Sequence, residues 1–96
     1  MKTFKVQNNN EDLKGKILFC LNLNIFCVIT GKSEDDEITI VKRNNINGIK
    51  EDIFFWVGGS SLNKEYTFTD VFDNEFILKT GFSKKQIKNN ICLLQN

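Results

Sequence analysis

The run Ser33-Glu34-Asp35-Asp36-Glu37 sets four carboxylates side by side, the kind of oxygen donor that holds a hard divalent cation. A calcium loop spaces its acids at alternate positions around a glycine, and this run does neither. It is therefore expected as a solvated acidic loop that meets a basic partner by electrostatic attraction. Cys20, Cys27 and Cys92 are the candidate thiols. With no CxxC pair and no histidine in the chain, zinc lacks a ligand set and a thiolate lacks its usual activating base. All three lie in apolar runs, so inert packing thiols are expected.

Two further stretches invite an anion. Gly58-Gly59-Ser60-Ser61 follows an apolar run, but the spacing, lysine and helix of a phosphate-cradling P-loop are missing, and it reads as a connection. Thr80–Gln86, TGFSKKQ, is stronger. It opens a helix, where free backbone N–H groups favour anions, and it puts Lys84 and Lys85 in the first turn, where the helix dipole disfavours cations. An anion seated there would offset that cost. Lys84 and Lys85, with Lys42 and Arg43, are thus candidate contacts to an anion or a nucleic-acid backbone. Nothing brings two carboxylates into a shared pocket, so the chain is expected to be no enzyme, with no catalytic residue, metal or cofactor.

The remaining candidates are aromatic. Residues 53–57 read IFFWV, apolar at every position, whereas a half-buried strand alternates apolar with polar. Phe54 and Trp56 fall on one face of that strand. Aromatic residues dominate the centres of protein interfaces and also stack single-stranded bases. Either a C-terminal helix or a binding partner must cover that face.

These residues need elements to position them. Asn47-Gly48 is the strongest short-range hairpin signal, and a type I′ turn there fixes a register. It sets Ile46 against Ile49, Arg43 against Asp52, Val41 against Phe54, Ile40 against Phe55, Thr39 against Trp56 and Ile38 against Val57. Opposite charges and branched–aromatic pairs then coincide, as stable cross-strand pairs do. Strands are expected at about 2–6, 18–30, 37–46, 49–57, 64–72 and 75–80, the last two joined by a hairpin at Asp73-Asn74. For 18–30 a helix is the alternative, weakened by Gly15, Asn22 and Asn24. A helix over 84–94 begins at Ser83, with Gln86 completing a capping box and Phe82 and Ile87 forming a staple. The fold class is mainly β (α+β): a small antiparallel barrel or curled sheet of about six strands, in a single domain, with one C-terminal helix.

Composition bounds the function. Hydrophobic residues make up 41% and charged residues 26% of the 96, a globular balance. The net charge of +1 argues against a purely electrostatic nucleic-acid binder. The apolar segment Ile17–Ile29 is interrupted by Asn22 and Asn24, too short to span a bilayer, and no cleavage site follows it. An odd number of cysteines at irregular spacing, with no cleavable signal, implies reduced thiols in a cytoplasmic protein. Ala and Pro are absent and Arg occurs once, while Asn, Lys, Ile and Phe are abundant; this is the usage of an AT-rich genome, such as that of a phage or mobile element. The expectation is a small protein-binding module, an inhibitor, immunity or adaptor protein, contacting its partner through Phe54, Trp56 and the acidic run Glu34, Asp35, Asp36 and Glu37. A nucleic-acid-binding barrel and a ligand-binding barrel or enzyme are the alternatives, with no membrane partner. A homodimer through an edge strand stays open.

Overall fold

In the computed structural model, which describes residues 1–5, 14–32, 38–58 and 66–95, the chain turns back on itself at Asn47-Gly48 with φ of 53° and 81°. Both angles are left-handed, as a type I′ turn requires and as Asn-Gly tolerates. The turn joins the two longest strands. The six strands are β1 (Phe4–Lys5), β2 (Ile17–Cys20), β3 (Ile25–Lys32), β4 (Ile38–Ile46), β5 (Ile49–Gly58) and β6 (Thr67–Thr69). All neighbours are antiparallel, in the order β1-β6-β2-β3-β4-β5, and the sheet is not closed into a barrel. The β4–β5 register is the one expected from the turn from Ile46↔Ile49 through Thr39↔Trp56. Beyond that a bulge shifts Ile38 onto Gly58 instead of Val57. A bulge at that end increases the local twist.

Two expectations are corrected. Residues 18–30 are two strands, not one, because Leu21–Asn24 form a turn between β2 and β3. Asn24 takes a left-handed φ of 57°, and the side chain of Asn22 accepts a 2.6 Å hydrogen bond from the Thr67 N–H. The two asparagines that weaken a helix are thus the residues that make the turn. The second correction is at 75–80, which is not a strand but the helix α1 (Asn74–Thr80). Asp73-Asn74 is a helix start, not a hairpin: the Asp73 carboxylate accepts from the Phe76 N–H, and Gly81 closes the helix with a φ of 80°. Its signals were complete in the chain, with Asp73 at the N-cap, Glu75 in the first turn, Lys79 in the last and Gly81 beyond. The β-rich run Phe76-Ile77-Leu78 masked them. Of the expected strand at 64–72, the described part pairs only at Thr67–Thr69.

The C-terminal helix α2 (Lys84–Leu94) has the expected bounds, and the reciprocal Ser83–Gln86 capping box forms. The two helices lie on one face of the sheet. There Phe19 and Phe26 of the sheet meet Phe76, Ile87 and Leu94, with Phe72 and Phe82 packed around them. Phe19 and Phe76 meet edge to face at 5.0 Å. The opposite face buries Leu18, Cys20, Cys27, Ile29, Ile40, Val57 and Phe68. Alternation along β3 sorts the two clusters, with Phe26 and Val28 toward the helices and Ile25, Cys27 and Ile29 away.

Candidate aromatic edge

Register puts Arg43, Val41 and Thr39 of β4, and Asp52, Phe54 and Trp56 of β5, on the helix face. α2 lies over β3 and β4. Val41 is buried under it, and the Arg43 guanidinium donates to the Leu93 carbonyl near the helix end at 3.2 Å. β5 is one strand further out, beyond this cover. Phe54 is 63% and Trp56 64% exposed there. The apolar surface that Val41 shares with Phe54 and Trp56 is therefore divided: the helix covers its β4 part and leaves the β5 aromatics open.

β5 ends the sheet, and among the described residues no strand pairs with its outer edge. The flanking pair of a two-residue hairpin exchanges both hydrogen bonds, and every second pair after it does the same. Ile49, Glu51, Ile53 and Phe55 consequently bond inward to β4. Lys50, Asp52, Phe54 and Trp56 turn their N–H and C=O groups outward. The residues with the open side chains are thus also those with the open backbone.

Polar groups frame the aromatics. Arg43 Nε donates to Asp52 Oδ1 at 2.7 Å and Nη2 to Oδ2 at 3.3 Å, a two-pronged pair. That hydrogen bond raises the Arg43 pKa and lowers that of Asp52. At the other end, the Thr30 and Thr39 hydroxyls share a 2.9 Å hydrogen bond in the row that ends at Trp56.

The four basic candidates do not converge. Lys42 faces away from Arg43, in register with Ile53 on the opposite face. Arg43 is engaged by Asp52 and Leu93, near the C-terminal end of α2. Lys84 and Lys85 stand exposed at the other end of that helix. There the capping box already uses the Gln86 N–H. Lys84 and Lys88 border a groove of about 520 Å³ between the helices, floored by Phe72, Ile77, Ile87 and Ile91 and reaching Cys92. The expected acidic contacts, Glu34, Asp35, Asp36 and Glu37, lie outside the described residues.

Cys20 and Cys27 are the buried packing thiols expected, but Cys92 is exposed. Burial, and to a lesser degree the neighbouring Cys20, pushes the Cys27 thiol up to about 12. Burial raises Cys20 as well. Among the described residues no three His, Cys, Asp or Glu side chains are grouped to hold a metal ion. Nor, among them, is any helix long and apolar enough to cross a membrane. The sequence left open whether the aromatics were covered, because helix length alone says nothing about how far across a sheet a helix reaches. Comparison of the chain with protein-family models, with curated proteins and with solved structures finds no match.

Proposed function

We propose that the chain is a small non-enzymatic protein-binding module whose contact surface is the outer strand β5, with Phe54 and Trp56 at its centre. The observation that carries this reading is the coincidence, on one strand, of two open aromatic rings and an edge that no strand pairs with among the described residues. Large aromatics that a monomer leaves in water are the side chains that anchor interfaces. An unpaired strand edge adds main-chain hydrogen bonds to the same contact. An inhibitor, immunity or adaptor protein of a phage or mobile element, working in the cytoplasm, fits this size and the three cysteines outside any disulfide. The acidic run Glu34–Glu37 is a second contact for a basic partner.

Stacking of single-stranded bases on Phe54 and Trp56 is the second reading, favoured by the same exposed rings. It is the weaker one, because Asp52, an acid, stands beside Phe54 on that face of β5, and Arg43 is tied to Asp52.

The test is capture of partners from an extract of the cells that express the protein, using the native chain beside Phe54→Ala, Trp56→Ala and Leu78→Ala. Leu78 is 85% exposed on α1 and serves as the control. A partner held by the native chain and by Leu78→Ala, but lost from both aromatic variants, supports the reading. Equal capture by all four proteins, or no stable partner, sinks it.

A further inference from the structure

We infer that the occupant of the β5 edge is β5 of a second copy of this chain, paired antiparallel about a two-fold axis at Phe55. The inference rests on the reading of β5 as a contact surface and names what fills it. A two-fold contact sets one surface against itself, so the strand must be complementary to its own reverse. Ile53-Phe54-Phe55-Trp56-Val57 meets that demand: β-branched at both ends and aromatic at the three central positions, it reads alike in both directions.

The free backbone groups narrow the register. Up to the bulge at Val57, Lys50, Asp52, Phe54 and Trp56 are the β5 residues that turn N–H and C=O groups outward, so hydrogen-bonded pairs across the axis join these even-numbered positions. Centring on Phe55 pairs Phe54 with Trp56 of the second copy, twice by symmetry. Both pairs stand on the helix face, where the rings are exposed. Ile53 then meets Val57 of the other copy, so every pair between 53 and 57 is apolar. Lys50, Glu51 and Asp52 fall outside this core. Of the other symmetric registers, one centred on Phe54 sets each Trp56 against Asp52, one centred on Ile53 sets Phe54 against Asp52, and one centred on Asp52 opposes two aspartates, a like-charge pair that destabilises a sheet.

Area sets the strength. At ~150–250 Å² for an aromatic side chain, rings open to this extent contribute roughly 250 Å² per copy, against about 800 Å² per partner in a standard stable interface. The paired backbone and the flanking side chains supply part of the difference. The product is a reversible dimer, not an obligate one, with the two sheets joined edge to edge through β5.

Sedimentation equilibrium from about 1 µM to about 1 mM, the span in which a sub-standard interface dissociates, tests this together with Trp56 emission. The expected result is a rise from 11.1 kDa to twice that mass, with a blue shift of Trp56 emission at the same midpoint. Phe54→Lys, which places a charge on the edge, should stay at the monomer mass, as should Trp56→Ala when read by sedimentation alone. Leu78→Lys should dimerise like the native chain. Thermal unfolding of each variant verifies that it is folded. A monomer mass across the whole range overturns the inference and leaves the contact-surface reading to a different partner. A dimer that persists in both edge variants overturns it too, by placing the contact elsewhere. Open-ended growth of the mass does likewise, because a two-fold pair closes.

Discussion

Cys27 is fully buried between strands β2 and β4, and burial rather than bonding governs its chemistry. Burial pushes its thiol up from an ordinary 9.0 to about 12. Between those values the unfolded chain loses the proton and the folded chain keeps it. The Cys27 contribution to stability is therefore whole below pH 9 and is lost as pH rises toward 12, at up to about 1.4 kcal/mol per pH unit. Urea midpoints measured at pH 8, 9 and 10 should decline mainly over the upper interval. The same burial predicts thiol counts. At pH 8 an aromatic disulfide reagent should titrate one thiol, Cys92, in the native protein and all three after unfolding. Rapid reaction of two or three thiols in the folded protein would show that Cys20 and Cys27 are not sealed in the core.

Helix α2 carries the cover for the sheet's aromatic layer through Ile87 and Leu94, so its start signal matters beyond the helix itself. The Ser83 hydroxyl accepts from the Gln86 N–H at 3.1 Å, and the Gln86 Oε1 accepts in turn from the Ser83 N–H at 2.9 Å. Ser83→Ala removes the first of these, with an expected cost of about 1 kcal/mol in urea or thermal unfolding. β5 needs no such change, so the Trp56 environment of the folded variant should be unaltered. Helix α1 shows how local signals compete. Phe76-Ile77-Leu78 favours a strand by residue type, yet Asp73 ahead and Gly81 behind supply both caps, and Phe76 as a helical residue reaches the Phe19–Phe26–Phe82 cluster. Caps and burial together outweigh β-propensity, which amounts to roughly 1 kcal/mol over its whole range.

On the scale of the molecule, the arrangement of charge rather than its sum bears on partners. The net charge of +1 leaves no excess to attract a polyanion, and the basic side chains singled out by sequence are dispersed over two faces and both ends of α2. Titration of labelled single- and double-stranded oligonucleotides at low salt should give no saturable binding. Binding whose logarithm falls steeply with the logarithm of salt concentration would show instead that phosphate contacts are made. The placement of the helices has the opposite consequence for proteins. A cover that stops at β4 leaves the aromatics of β5, the outermost of the described strands, open on its helix face.

Local chemistry determined much of this by itself. The Asn47-Gly48 turn, the β4–β5 register as far as Thr39 and Trp56, and the Ser83 start of α2 each depend on residues within a few positions of one another, so sequence alone specified them. The Asn22–Asn24 turn and helix α1 were equally local, but their signals were overlaid by apolar runs with strand character. Tertiary structure alone decided how far α2 reaches across the sheet. Residue periodicity reports which face of an element is apolar, whereas cover depends on the order of strands and on the place where a helix lands. Val41 and Phe54 are cross-strand neighbours on the same apolar face. One is buried and the other is in water because a single strand spacing separates them at the limit of the helix.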